Sequence, residues 1–350
     1  MSARRLRATV SLDLDDLWTY LKTRGDPAWA SYPTYLPVIV PRVLQRLDEL
    51  NLRITFFVVG RDASIEANAP FMRAIADRGH EIGNHSFEHD CWLHRHRPEH
   101  LEADIRRAEE SIERATGRRP TGFRGPGFSW SSDLLEILAS RGYEYDASTL
   151  PSVVGPLART YFLWTARLSP EERQEREALF GSFGDAMRPL DPYKWNLSGG
   201  RKLLEIPVTT MPVARLPFHL SYLLYLASFS WALMAAYLGM ALTLCRLFRV
   251  EPSFLLHPPD LLDASEAPGL EFFPGMMLSA DRKASVFRYA LERIQRHFDV
   301  LPLSAFARDP ASGACLRLLE AHRSFRHAAP AELRSRPSLS HADTEVYRET

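Results

Sequence analysis

Over the first 260 residues, short β-rich runs alternate with stretches of helical spacing. The segments "LRATVSLDL" (6–14) and "ITFFVVG" (54–60) read as strands, the second apolar enough to be buried on both faces. Between them, Val43, Leu44, Leu47 and Leu50 keep helical spacing after Pro41, which suits a first helical turn. Residues 99–116 put Leu101, Ile105, Ala108 and Ile112 on one helical face and stop at Gly117. A further helix, "LLEILASRG", closes at Gly142, and "HEIGNH", "LLEIPVT" and "SFLLH" read as later strands. Strand and helix in alternation predict an α/β fold with a parallel sheet, open or closed into a barrel, whose chemistry gathers at the C-terminal strand ends.

One stretch departs from this rhythm. Residues 220–245, "LSYLLYLASFSWALMAAYLGMALTLC", hold no charged side chain and as one helix would reach about 39 Å, enough for a bilayer core of about 30 Å. A helical wheel puts Ser221, Ser228, Ala232, Ala235, Gly239 and Thr243 on one stripe, and Leu223, Leu226, Leu233, Met234, Tyr237, Leu238 and Leu244 largely opposite. The expectation is that the small residues pack inward and the bulky face turns outward, toward a membrane interface, a lipid tail or a partner subunit. Arg215, Arg246 and Arg249 at its ends suit phosphate head groups.

Charge and cysteine usage narrow the class. With 43 basic and 43 acidic residues the chain has no global field to recruit nucleic acid, and none is expected as a partner. The beginning "MSARRLRATVSLDLDD" shows no apolar signal segment, and Cys91, Cys245 and Cys315 are odd in number and widely spaced. A cytoplasmic location is expected, with peripheral association to the inner membrane through residues 217–248 as an extension.

The candidate chemistry falls at the strand ends. "SLDLDD" supplies Asp13, Asp15 and Asp16, and "NHSFEHD" supplies His85 and His89 at i, i+4, on one side of a helical turn. Two imidazoles and a carboxylate from a neighbouring strand make three ligands for a divalent ion and leave a position for water. Asp13 and Asp15 share one strand face, so one carboxylate can hold the metal while the other deprotonates its water; Asp16 faces away as a loop residue.

In their order, "SLDLDD", "HEIGNHSFEH", "FRGPGF", "YDAS" and "FLLHP" resemble the motifs of the NodB-type polysaccharide deacetylases, carbohydrate esterase family 4. The resemblance implies a distorted (β/α) barrel of about seven strands and hydrolysis of an N-acetyl group on an amino sugar; the residues themselves add a long apolar helix inserted before the last motif, and N-formyl is the alternative acyl group. It implies Asp13 as general base, Asp15, His85 and His89 as ligands of one divalent metal, zinc first with Co, Mn, Ni or Fe as options, and Arg124 as partner of the base. His257 becomes the acid for the leaving amine, oriented by Asp146 or by its rival Asp260, and Gly127 or Phe128 the oxyanion donor. Asp-Leu-Asp in place of the commoner T-F-D-D-G resembles members acting on lipid-linked or unusual substrates. The expected organisation is a catalytic domain over residues 1–306, including an insertion at 150–202 and the apolar helix at 217–248, then a polar tail over 307–350 with a disordered end. A homo-oligomer through residues 217–248 is the other partner the apolar face could take. Two rival readings are a glycosyltransferase using Asp13-Leu14-Asp15 as a metal-binding D-x-D, and a non-catalytic barrel that binds glycan or lipid.

Overall fold

In a computed structural model, residues 4–155, 168, 183–309 and 316–321 are described. The expected strands appear as β1 (Arg7–Leu14), β2 (Thr55–Val58), β3 (Glu81–Asn84), β4 (Gly122–Phe123) and β5 (Tyr145–Asp146), followed by β6 (Tyr193–Asn196), β7 (Lys202–Glu205), β8 (Ser253–Leu256), β9 (Asp299–Leu301) and β10 (Leu318–Glu320). They form one sheet in the order β10-β6-β7-β5-β4-β3-β2-β1-β8, with β9 also on β1. Every pairing is parallel except β6 with β7. β1 is buried along its whole length because it lies between β2 and β8.

No ladder among the described residues closes the sheet into the expected barrel. Past β7, the chain reaches β8 through Thr209 N–H to Ser253 O at 3.0 Å, with Ser253 N–H returning to Thr209 Oγ1 at 2.8 Å. The antiparallel β6 was not anticipated inside the polar stretch of 150–202. Its signal is the alternation of "YKWN", with Tyr193 and Trp195 buried and Lys194 and Asn196 half-buried. β10 lies in the expected tail and pairs with β6. The charged segment at 170–180 and the tail beyond 321 lie outside the described residues.

The crossovers pack on this sheet. Helices α1 (Leu17–Arg24) and α2 (Leu36–Glu49) come first, and α2 begins five residues before the expected start. Burial of Leu36, Ile39 and Val40 outweighs the amide that Pro41 cannot donate within the helix. Helices α3 (Gly60–Ser64), α4 (Ala69–Asp77), α5 (Pro98–Thr116) and α6 (Ser132–Ser140) follow, with the left-handed Gly117 ending α5 as expected.

Residues 220–247 are not one helix. α7 is the short Phe183–Ala186, α8 runs Leu220–Phe229 and α9 runs Trp231–Leu247, broken at Ser230. Ser230 is extended (φ −158°, ψ 130°), and its hydroxyl accepts from Leu233 N–H as an N-cap, which starts a new helix where the apolar pattern alone would continue. No helix among the described residues is long and apolar enough to cross a membrane. The wheel's facing is also reversed. Leu223, Met234, Leu238 and Leu242 are buried while Ser228, Ala232 and Thr243 are exposed, because the bulky residues release more surface from water when they face the core. Among the leucines of that bulky set, Leu233 is the exposed one, at 49%. α10 (Ala280–His297) packs against α8, and α11 (Leu303–Arg308) closes the described core.

His80 leads into β3, fully buried, and its Nδ1 accepts from Ile54 N–H at 3.2 Å. Burial first, then the cationic Arg53, push its pKa down to about 4. A folded-state pKa below the unfolded value of about 6.5 means stability present above pH 6.5 and lost as pH falls toward 4. His80→Gln, which keeps an acceptor, should flatten the fall in chemical-denaturation stability between these pH values by about 3 kcal/mol relative to wild type. Parallel curves for the two proteins would show that His80 does not carry the acid sensitivity.

Candidate active site

Parallel pairing brings five strand ends to one edge of the sheet. Asp13 is the penultimate residue of β1 and Asp15 follows it; His85 follows β3, Arg124 follows β4, Asp146 ends β5 and His257 follows β8. The sequence expectation that chemistry gathers at C-terminal strand ends is met at each of them.

Asp15, His85 and His89 are buried, and their ligand atoms lie within 4.8 Å of one another. Asp15 Oδ1 is 3.0 Å from His89 Nε2 and 3.2 Å from His85 Nε2. The histidines are not on a helical turn as expected. Residues 85–90 form an irregular loop in which Ser86 and His89 take positive φ of 62° and 52°. Side chains hold that shape: Asp104 accepts from Phe87 N–H at 2.8 Å and Glu88 N–H at 3.0 Å, and Asn84 Oδ1 accepts from Ser86 N–H at 2.8 Å.

The donor chemistry fits a cation. His85 Nδ1 lies 2.6 Å from the Arg124 carbonyl, which can only accept, so that nitrogen carries the proton. In the neutral ring Nε2 then turns a lone pair toward a carboxylate oxygen, an arrangement that a shared positive charge resolves. Without a metal the charge must be a proton: burial alone would lower the His85 pKa, but the hydrogen bond to Asp15 and the charges of Asp13 and Asp15 raise it. Burial likewise works against ionised Asp15, and His89 and His85 nevertheless hold it well below the usual carboxylate range.

Arg124 supplies the neighbouring feature. Its fully buried guanidinium donates from Nη1 to Asp13 Oδ1 at 2.6 Å and to Ser11 Oγ at 2.8 Å, and from Nε to Ala147 O at 3.0 Å. It also lies 4.3 Å over the Phe57 ring. Gly125 then needs its hydrogen side chain, since a Cβ there would fall 1.9 Å from Ser129 O. In the turn that follows, Phe128 N–H closes onto Gly125 O at 3.0 Å and is thereby engaged within the turn.

Asp16 is the expected loop residue: Oδ1 caps α1 through Leu17 N–H at 2.8 Å and also accepts from Tyr35 N–H at 3.0 Å. Burial, with Asp15 adding repulsion, raises it to about 6. Asp146 receives Ser148 Oγ–H at 2.5 Å and sits beside the buried Glu205 of β7, a different network from that of His257. His257 is placed by Asp260, whose Oδ2 accepts its backbone N–H at 2.8 Å, and its Nδ1 is 3.4 Å from Ser221 Oγ.

Three neighbours escaped the sequence reading. Glu205 is an acid in an apolar strand, held by Thr149 N–H, Thr149 Oγ1–H and Trp195 Nε1–H. Ser221 and His219 open α8 beside His257, and the only signal for them is polarity at the head of an apolar run. A separate cleft of about 360 Å³, lined by Met187, Arg188, Arg215 and Arg317 among others, contains none of these groups; the titratable residues converge at the strand ends instead.

Residues 7–145 match the family model for polysaccharide deacetylases. Over these residues, less than half of the chain, the sequence is similar to the polysaccharide deacetylase family. A peptidoglycan deacetylase of Helicobacter pylori is 32% identical over 111 residues, covering 32% of this chain and 37% of the relative. A chitooligosaccharide deacetylase of Azorhizobium caulinodans is 33% identical over 107 residues, covering 30% of this chain and 50% of the relative. The chain thus spans half or less of the length of these curated relatives. The fold matches a crystal structure of a candidate polysaccharide deacetylase from Mycobacterium smegmatis, with a TM-score of 0.57, 21% identity, and coverage of 91% of this chain and 98% of that one. The deacetylase match ends at Tyr145, so Glu205, His219 and His257 come to the site through the pairing of β7 with β5 and β8 with β1.

Titration of the purified chain with zinc or cobalt should show one site. Asp15→Ala and His85→Ala should each weaken it by more than about 100-fold, beyond the usual cost of losing an outer partner. Asp146→Ala should keep wild-type affinity, and calorimetry showing equal loss for Asp146→Ala and Asp15→Ala would contradict this ligand set.

Proposed function

We propose that this protein is a metal-dependent hydrolase that removes an N-acetyl or N-formyl group from an amino sugar. The observation that carries the reading is Asp13, paired with buried Arg124 at 2.6 Å, beside the buried Asp15, His85 and His89 set. The relatives' names, with peptidoglycan and chitooligosaccharide as substrates, support the amino-sugar class. The glycosyltransferase and non-catalytic readings draw no such support.

A divalent ion held by Asp15, His85 and His89, with zinc the first choice for this donor set, would bring the pKa of water from about 15.7 toward 7 and polarise the amide carbonyl. Asp13 accepts the proton of the attacking water, and Arg124 fixes that carboxylate in place through Nη1. The N–H of Gly127, with that of Phe128 engaged in the turn, would donate to the developing oxyanion. Protonated His257 gives its proton to the departing amine as the C–N bond breaks, leaving acetate or formate and a free amino sugar.

The substrate is proposed to be lipid-linked or part of a glycan precursor, met at the cytoplasmic face of the inner membrane. Leu233, Met240 and Leu247 recur every seventh residue on α9 and are 49%, 50% and 72% exposed, and Tyr225 and Phe229 of α8 are exposed as well. Exposed Arg246 and Arg249 sit at the end of that stripe.

Metal-loaded protein incubated with N-acetylglucosamine oligomers and with lipid-linked amino sugars should release acetate or formate, read by mass spectrometry. Asp13→Asn should lower kcat by about 10²- to 10⁴-fold with metal content unchanged; full activity in that variant would remove Asp13 as the base. Separately, the chain should sediment with anionic vesicles, and Leu233→Glu with Leu247→Glu should abolish this. A chain that stays in the supernatant as a dimer would assign the stripe to a second copy instead.

A further inference from the structure

His219 stands at the site without a task in the reaction just described. It is the residue before α8, its ring lying edge-on to Tyr222 at 4.6 Å and 6.0 Å from the ring of His257. It is 7% exposed, and its buried Nδ1 has no hydrogen-bond partner among the described residues. A buried polar atom in that state needs a reason, because it has given up water for nothing.

The chain before it is fixed. Phe218 is buried against Phe254 of β8 at 6.2 Å, and Tyr237 Oη–H donates to Pro217 O at 2.8 Å. One helical step later, Ser221 approaches His257. The unpartnered nitrogen is therefore held at a set place beside the proposed acid. Burial first, then the charges of His257 and Arg124, push the His219 pKa well below 6.5, so the ring is neutral and offers one donor and one acceptor. A neutral imidazole suits a hydroxyl, which can match either tautomer, better than it suits a carboxylate or phosphate.

We propose that His219 is a substrate-positioning residue whose imidazole exchanges a hydrogen bond with a hydroxyl of the sugar ring that carries the scissile amide. This rests on the deacetylase reading and names a contact to the sugar ring, where Asp13, Arg124 and His257 serve the scissile amide.

The test compares His219→Ala, His219→Phe and His219→Asn with wild type in the metal-loaded full chain, after checking that each keeps its melting temperature. Calorimetry with an N-acetylglucosamine oligomer gives Kd, and turnover is followed with that oligomer and with p-nitrophenyl acetate, which has no sugar ring. The Ala and Phe variants should raise Kd and KM for the oligomer about tenfold, the size of one hydrogen bond, with kcat within about twofold. Hydrolysis of the sugar-free ester should be unchanged, and the Asn variant should recover most of the affinity. A Phe variant with wild-type Kd overturns the proposal, since packing alone would then suffice. Equal loss on both substrates also overturns it by placing His219 in the chemistry. A wild-type chain that binds the oligomer but releases no acetate refutes the deacetylase reading alone, because the Kd comparison still reports on His219.

Discussion

The buried guanidinium of Arg124 is the constraint on which the site depends. A cation removed from water must be paired, and this one is paired to groups on separate strands: Ser11 and Asp13 on β1, and Ala147 just beyond β5. Its backbone extends the same set, with N–H on Asn84 O at 3.0 Å and its carbonyl on the His85 ring. One residue thereby sets the direction of the proposed base and the tautomer of a proposed metal ligand. Removing the charge would leave Asp13 buried without its partner, and removing Asp13 would leave a buried cation, so neither can vary alone without a cost of several kcal/mol, on the order of 3–5.

The same economy of position explains why irregular backbone surrounds regular strands. β3, β4 and β5 are only two to four residues long, and each hands over at once to a loop whose shape is set by side-chain hydrogen bonds. Asn84 and Asp104 fold the histidine loop, while Ser148 joins Gly125 N–H, at 2.8 Å, to Asp146. The left-handed residues Ser86 and His89 persist because these bonds over-determine the loop. Strand ends supply rigidity, and the loops supply direction.

Much of this was legible in the residues. Motif order singles out Asp13, Asp15, His85, His89, Arg124 and His257, and the structure places all but His89 at strand ends along the same side of the sheet, with His89 on the loop after β3. Asp146 was identified too, yet it bonds Ser148 rather than His257, because its orientation depends on Glu205, which comes from β7. The apolar run shows the limit most clearly. Hydropathy made it one helix with small residues inward, whereas Ser230 caps a second helix and the leucines face the core.

Local chemistry determined what the sequence could say alone: strand candidates from apolar periodicity, the end of α5 from Gly117, and the acid and imidazole types able to hold a metal and move protons. Those properties depend on a residue and its near neighbours. Only the tertiary structure decided that the segment after β7 meets the start of β8 through Thr209 and Ser253, and that His219 lies beside His257. It also decided which face of α9 meets water. These depend on pairings between residues far apart in the chain, where burial and hydrogen-bond satisfaction are settled jointly.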